Sequence, residues 1–145
     1  MNSGVLRPSA IAAAVVAAAM LMAGCTSGSV PALERAAEPA DALPGDLTGF
    51  SGFDPETARH IASKDGVEYY LAKQSGDIDL VNGVCLVLTT ATEPLQWASS
   101  CGAGDWFTLE WAPGTVNAEF FRHGVTAGDV KPGWTQVSEN VIVEG

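Results

Sequence analysis

Residues 9–24 carry no charge and are mostly Ala, Val, Leu and Met, and the chain turns polar again at Thr26 to Ser29. A spanning helix needs about 20 apolar residues, so a stretch this short, preceded by Arg7, predicts a cleavable export leader over 1–24. Residues 26–53 show no sustained apolar period and hold Pro31, Pro39 and Pro44 among Gly, Ser, Ala and acids, which predicts a flexible linker. Fully extended it would reach roughly 90 Å, and as a coil about 30 Å; docking of Leu47, Phe50 and Phe53 onto the domain as an irregular arm is the alternative for its last part.

Over 54–63, Asp54 suits an N-cap, Pro55 the first helical position and Glu56 the positive end of the dipole. Ala58, Ile61 and Ala62 then share one face, so a short helix is predicted, stopped by Lys64-Asp65-Gly66. From Val67 onward the period is two. Val67, Tyr69 and Leu71 alternate with Glu68, Tyr70 and Ala72, and VNGVCLVLTTA, LQWASSC, DWFTLEWA, VNAEFF, WTQV and NVIVE follow, separated by turn residues. Within DWFTLEWA, Phe107, Leu109 and Trp111 fall on one face. Six or seven such strands predict a mainly β domain over 54–145, a small antiparallel sandwich or partly open barrel with one short N-terminal helix.

Charge narrows the partners. The chain has 17 acidic and 7 basic residues, and removal of the leader takes Arg7 with it, leaving six basic residues and a net charge of −11. The charge argues against nucleic acid as a partner, because phosphate binding needs clustered Lys and Arg. Anionic lipid would repel such a chain, so attachment to a membrane would have to be covalent and apolar.

Met22-Ala23-Gly24-Cys25 resembles the lipobox of bacterial lipoproteins, which implies a diacylglyceryl group on the Cys25 thiol and a mature chain that starts there. An ordinary secreted leader and an uncleaved anchor are the alternatives. Acylation also resolves the odd number of cysteines, since Cys85 and Cys101 are then left to pair. A turn over Thr92-Glu93-Pro94 sets Ala91 opposite Leu95, Thr89 opposite Trp97, Val87 opposite Ser99 and Cys85 opposite Cys101. Directly opposed residues of an antiparallel pair can lie about 4.5 Å apart, within disulfide range; two reduced buried thiols are the alternative.

Candidate chemistry is sparse. His60 and His123 have no Cys or His at zinc-ligand spacing, and G-x-S-x-G, Walker and dinucleotide glycine patterns are absent, so no cofactor or metal is expected. Ser99-Ser100 have no evident base, and Asp77 and Asp79 read as an acidic turn without the remaining ligands of a calcium loop. Asp105, Glu110 and Glu119 are the carboxylates from which a hydrolase pair would have to come. The aromatics are numerous for a small domain and mostly suit its core, with Tyr70 and Trp106 the candidates for an exposed binding pair.

From Asp54 onward, D-P-x-T-A-R, D-G-V-E-Y-Y-L-A, C-L-V-L, W-A-S-S-C-G and W-T-Q-V-S-E-N-V-I-V together resemble small actinobacterial lipoproteins and membrane-anchored proteins. The resemblance implies an architecture and no site. The expectation is a lipoprotein anchored at Cys25 on the extracytoplasmic face of the cell membrane, binding an envelope protein or glycan. An extracytoplasmic hydrolase using carboxylates is the second expectation.

Overall fold

Asp65 and Gly66 both have positive φ, 53° and 79°, the conformation a two-residue type I′ hairpin requires. They join β1 (Phe53–Lys64) to β2 (Val67–Gln74) in a computed structural model that describes residues 28–45, 47, 52–76, 82–112 and 116–145. β2 pairs with β3 (Val84–Thr90), and β3 with β4 (Trp97–Gly102), giving an antiparallel sheet in the order β1-β2-β3-β4. The second sheet has β5 (Trp106–Trp111), β6 (Val116–Phe121), β7 (Trp134–Ser138) and β8 (Val141–Glu144) in the order β5-β6-β8-β7. The two sheets pack face to face as a sandwich, as the period-two pattern predicts.

Inward positions alternate as expected on the second sheet, where Leu109, Ala118, Phe120, Val141 and Val143 are buried against Tyr69, Leu71, Leu86 and Leu88 of the first. Phe107 and Phe120 stack at 4.8 Å between ring centres. On the first sheet the other face is buried too: Tyr70, Ala72, Cys85 and Val87 form a second cluster with Phe53 and Ala58. That is why β3 is covered along nearly its whole length.

Two expectations are corrected. Residues 54–63 form strand, not helix. The N-cap signal is real but serves a bulge: the Asp54 carboxylate accepts the Glu56 N–H at 3.0 Å, and the Thr57 hydroxyl donates to the Asp54 carbonyl. The register jumps from Asp54↔Lys73 to Arg59↔Leu71, so 55–58 leave the ladder of an edge strand, where Pro55 breaks no pairing, and bring Ala58 over the sheet face that carries Tyr70.

The second correction concerns the expected flexible linker. Val30 and Leu33 are buried in the main core, Leu33 within the one-turn helix α1 (Pro31–Glu34), and Leu47 and Phe53 are buried as well. Docking of Leu47 and Phe53 follows the arm alternative, while Phe50 lies outside the described residues. The physical reason is a polar staple that hydropathy does not reveal. Arg35 donates two hydrogen bonds of 2.6 Å to Asp41, and Asp41 accepts the backbone N–H groups of Glu38 and His60 at 2.8 Å.

The Arg35 guanidinium holds the buried Asp41 carboxyl well below its ordinary 3.8, with the two backbone donors acting in the same direction. A depressed carboxyl contributes stability that is complete above its unfolded value and is lost as pH falls through 3.8 toward the folded value. Asp41→Ala leaves those donors unpaired, so it should lower the unfolding free energy at neutral pH by about 1–3 kcal/mol. It should also flatten the acid limb below pH 4. Urea denaturation at pH 7 and pH 3 checks both.

Candidate functional site

The two sheets leave an opening at the end where the β1–β2 turn, the β3–β4 connection, the facing ends of β5 and β6 and the last residue of β8 meet. A cleft of about 320 Å³ enters there, walled by Val67 and Tyr69 of β2, Trp111 of β5 and Val116 of β6, with Lys64 and Glu144 at its rim. That volume is at the small end for ligand pockets, and the combination of an apolar wall with a few polar groups is their usual make-up. Burial, helped by the Asp65 charge, pushes the Tyr69 hydroxyl up to about 12, so it stays protonated as a hydrogen-bond donor. Lys64 is paired with Asp65, and Glu144 accepts from the Asn117 amide. The cleft thus offers an aromatic face, a phenolic donor and fixed charges at its mouth.

Of the two aromatics expected at a binding surface, Trp106 is 53 % exposed and Tyr70 is 5 % exposed. Tyr70 is the correction: its face of the sheet is covered by Phe53 and Ala58, and the His60 ring meets it edge-on at 5.1 Å. The cleft aromatics Tyr69 and Trp111 read in the sequence as ordinary core positions. The available signal was position: Trp111 is the last inward residue of its strand, and such a residue lies at the mouth of a sandwich.

The hydrolase carboxylates do not gather in this cleft. Asp105 is exposed and 3.1 Å from the exposed His123, Glu119 is buried and paired with Lys131, and Glu110 is exposed. Glu110 and Glu119 are diagonal neighbours on β5 and β6, on the face turned away from the core. Lys131 also lies over the Trp134 ring at 4.8 Å, fixing the connection before β7 to that face.

A second cluster, His60, Ser63 and Glu68, stands on β1 and β2. Glu68 meets His60 Nε2 at 2.6 Å, and the Ser63 hydroxyl meets the same nitrogen at 3.3 Å while donating to Glu68. A relay from hydroxyl to carboxylate needs the two on opposite ring nitrogens, so the three groups serve as a polar clasp. The Ser63 hydroxyl and then the His60 ring hold the Glu68 carboxyl below its ordinary value.

Cys85 and Cys101 are directly opposed on β3 and β4, in the register read from the turn, with Cα atoms 4.0 Å apart and sulfurs at bonding distance. Cys25, Asp77 and Asp79 lie outside the described residues. Among the described residues no helix is long and apolar enough to cross a membrane, and no group of three His, Cys, Asp or Glu could hold a metal ion. No protein-family model, curated protein or solved structure matches this chain.

Proposed function

We propose that the protein is a cell-envelope lipoprotein, acylated at Cys25 and held on the extracytoplasmic face of the membrane, whose domain binds an envelope protein or glycan. The observation that carries the binding reading is the end cleft, with Trp111 and Tyr69 in its wall and charged groups at its rim. Met22-Ala23-Gly24-Cys25 supports the location. Tryptophan in a pocket is the residue most often found to dominate binding energy, and its flat face accepts a sugar ring or an apolar side chain equally.

A photo-crosslinking residue at the exposed position 96, beside the cleft, should capture a discrete partner in the native envelope. Trp111→Ala should reduce that capture about tenfold or more, the equivalent of about 1.4 kcal/mol. The same probe at the exposed position 136, on the edge strand β7 and outside the cleft lining, should capture nothing. Undiminished capture by Trp111→Ala contradicts the cleft as the binding site.

A further inference from the structure

The cleft occupies one end of the sandwich, and the other end has its own composition. There the β4–β5 connection, the β7–β8 turn and the chain just after β6 meet, around Arg122. This side chain is buried at 4 % exposure, and its guanidinium donates to the carbonyls of Gly28 at 3.1 Å, Asn82 at 2.9 Å and Gly104 at 3.1 Å. The chain is therefore fixed to this end at Gly28, and Val30 and Leu33 are locked into the core directly afterwards. Only Thr26 and Ser27 separate Gly28 from Cys25, and three Cα steps span at most about 11 Å.

Trp106 stands at the same end. It is two residues from Gly104, opposite Phe121 in the neighbouring strand, and it is the large apolar side chain left exposed among the described residues. Asp105 and His123, both exposed, flank it with polar groups. An amphipathic ring beside polar neighbours is what membrane–water interfaces select.

We infer that this end of the sandwich rests on the bilayer, with Trp106 seated at the headgroup level of the outer leaflet, and that the cleft at the opposite end faces away from the membrane. The inference rests on acylation at Cys25. The acyl chains bring the domain to the surface, the short connection to Gly28 selects which end meets it, and Trp106 supplies the apolar contact. With a net charge of −11 the contact suits zwitterionic rather than anionic headgroups. The expected linker of 28 residues would have lifted the domain clear; the docked arm removes that freedom.

The test uses the lipidated chain extracted from membranes and reconstituted into phosphatidylcholine vesicles carrying brominated acyl chains. Wild-type protein should float with the vesicles and lose part of its tryptophan emission to bromolipid, and Trp106→Phe should float equally but lose that quenchable part. Inserting about fifteen Gly and Ser residues between Ser27 and Gly28, a coil of roughly 20 Å, should preserve flotation and weaken the quenching. Flotation without Trp106-dependent quenching overturns the orientation while leaving the anchor standing, whether the ring is then open to aqueous acrylamide or shielded by a second copy of the chain. Quenching unchanged by the inserted linker overturns the role given to the short connection. Absence of flotation in the wild type overturns the anchor, and the orientation with it.

Discussion

Cys25→Ser is expected to abolish processing of the leader and acyl attachment together. Under the proposed anchor, the acyl chains contribute about 0.8 kcal/mol per buried methylene, and two chains make attachment stable where one does not. Nothing in the charge of the chain replaces them, because a net −11 is repelled by anionic lipid. Cell fractionation should therefore find wild-type protein in the membrane fraction and resistant to high salt. The variant should keep the mobility of the unprocessed precursor or, if another peptidase trims it, appear in the soluble fraction. A Cys25→Ser protein that is cut at the same place and still partitions with membranes contradicts the proposal.

Cys85→Ala should have the largest effect on the fold itself. The bond closes a loop of sequence separation 16 between directly opposed strands, worth roughly 3 kcal/mol on the chain-entropy account and about 2–5 kcal/mol in small exported domains. The loss also falls inside the second cluster, where Cys85 is fully buried beside Phe53, Ala58, Tyr70 and Val87. For a domain of this size the midpoint of thermal unfolding should drop by on the order of 15 °C. Differential scanning calorimetry of wild type and variant checks this, and non-reducing peptide mapping of exported wild type should recover Cys85 joined to Cys101 with neither thiol free to alkylate. A drop of only a few degrees would show that the strands hold their register without the bond.

The strands from Val67 onward were legible because alternation and turn residues agree there, and the β3–β4 register followed from a single turn. β1 was not. Asp54, Pro55 and Glu56 carry genuine helix-start chemistry, but the Asp65-Gly66 turn and pairing with β2 outweigh local propensity, and the capping groups are spent on a bulge. Asp65-Gly66 is a hairpin signal as well as a helix stop, and its positive φ angles serve the hairpin. The arm was illegible for another reason: Val30 and Leu33 are isolated apolar residues in a polar stretch, and what docks them is the pairing of Arg35 with Asp41 and of Arg122 with a distant carbonyl, partners that no period announces.

The candidate site divides in the same way. Trp106 is exposed, as expected, at the first position of β5 on the outward face, whereas Tyr70 fails because alternation predicts a solvated face only when nothing covers it. The arch of β1 that buries Tyr70 is the feature the sequence pattern concealed. The cleft could not be seen from periodicity at all, since Tyr69 and Trp111 obey the inward rule and differ from other core residues only in standing at the open end of the sandwich.

Intact-mass and N-terminal fragment spectrometry of the protein extracted from native membranes decides whether Cys25 is the anchor. A single mature species is expected whose first residue is Cys25, with added acyl mass on that residue and the Cys85–Cys101 pair oxidised. A mature chain that begins elsewhere, or that begins at Cys25 with an unmodified thiol, would contradict it.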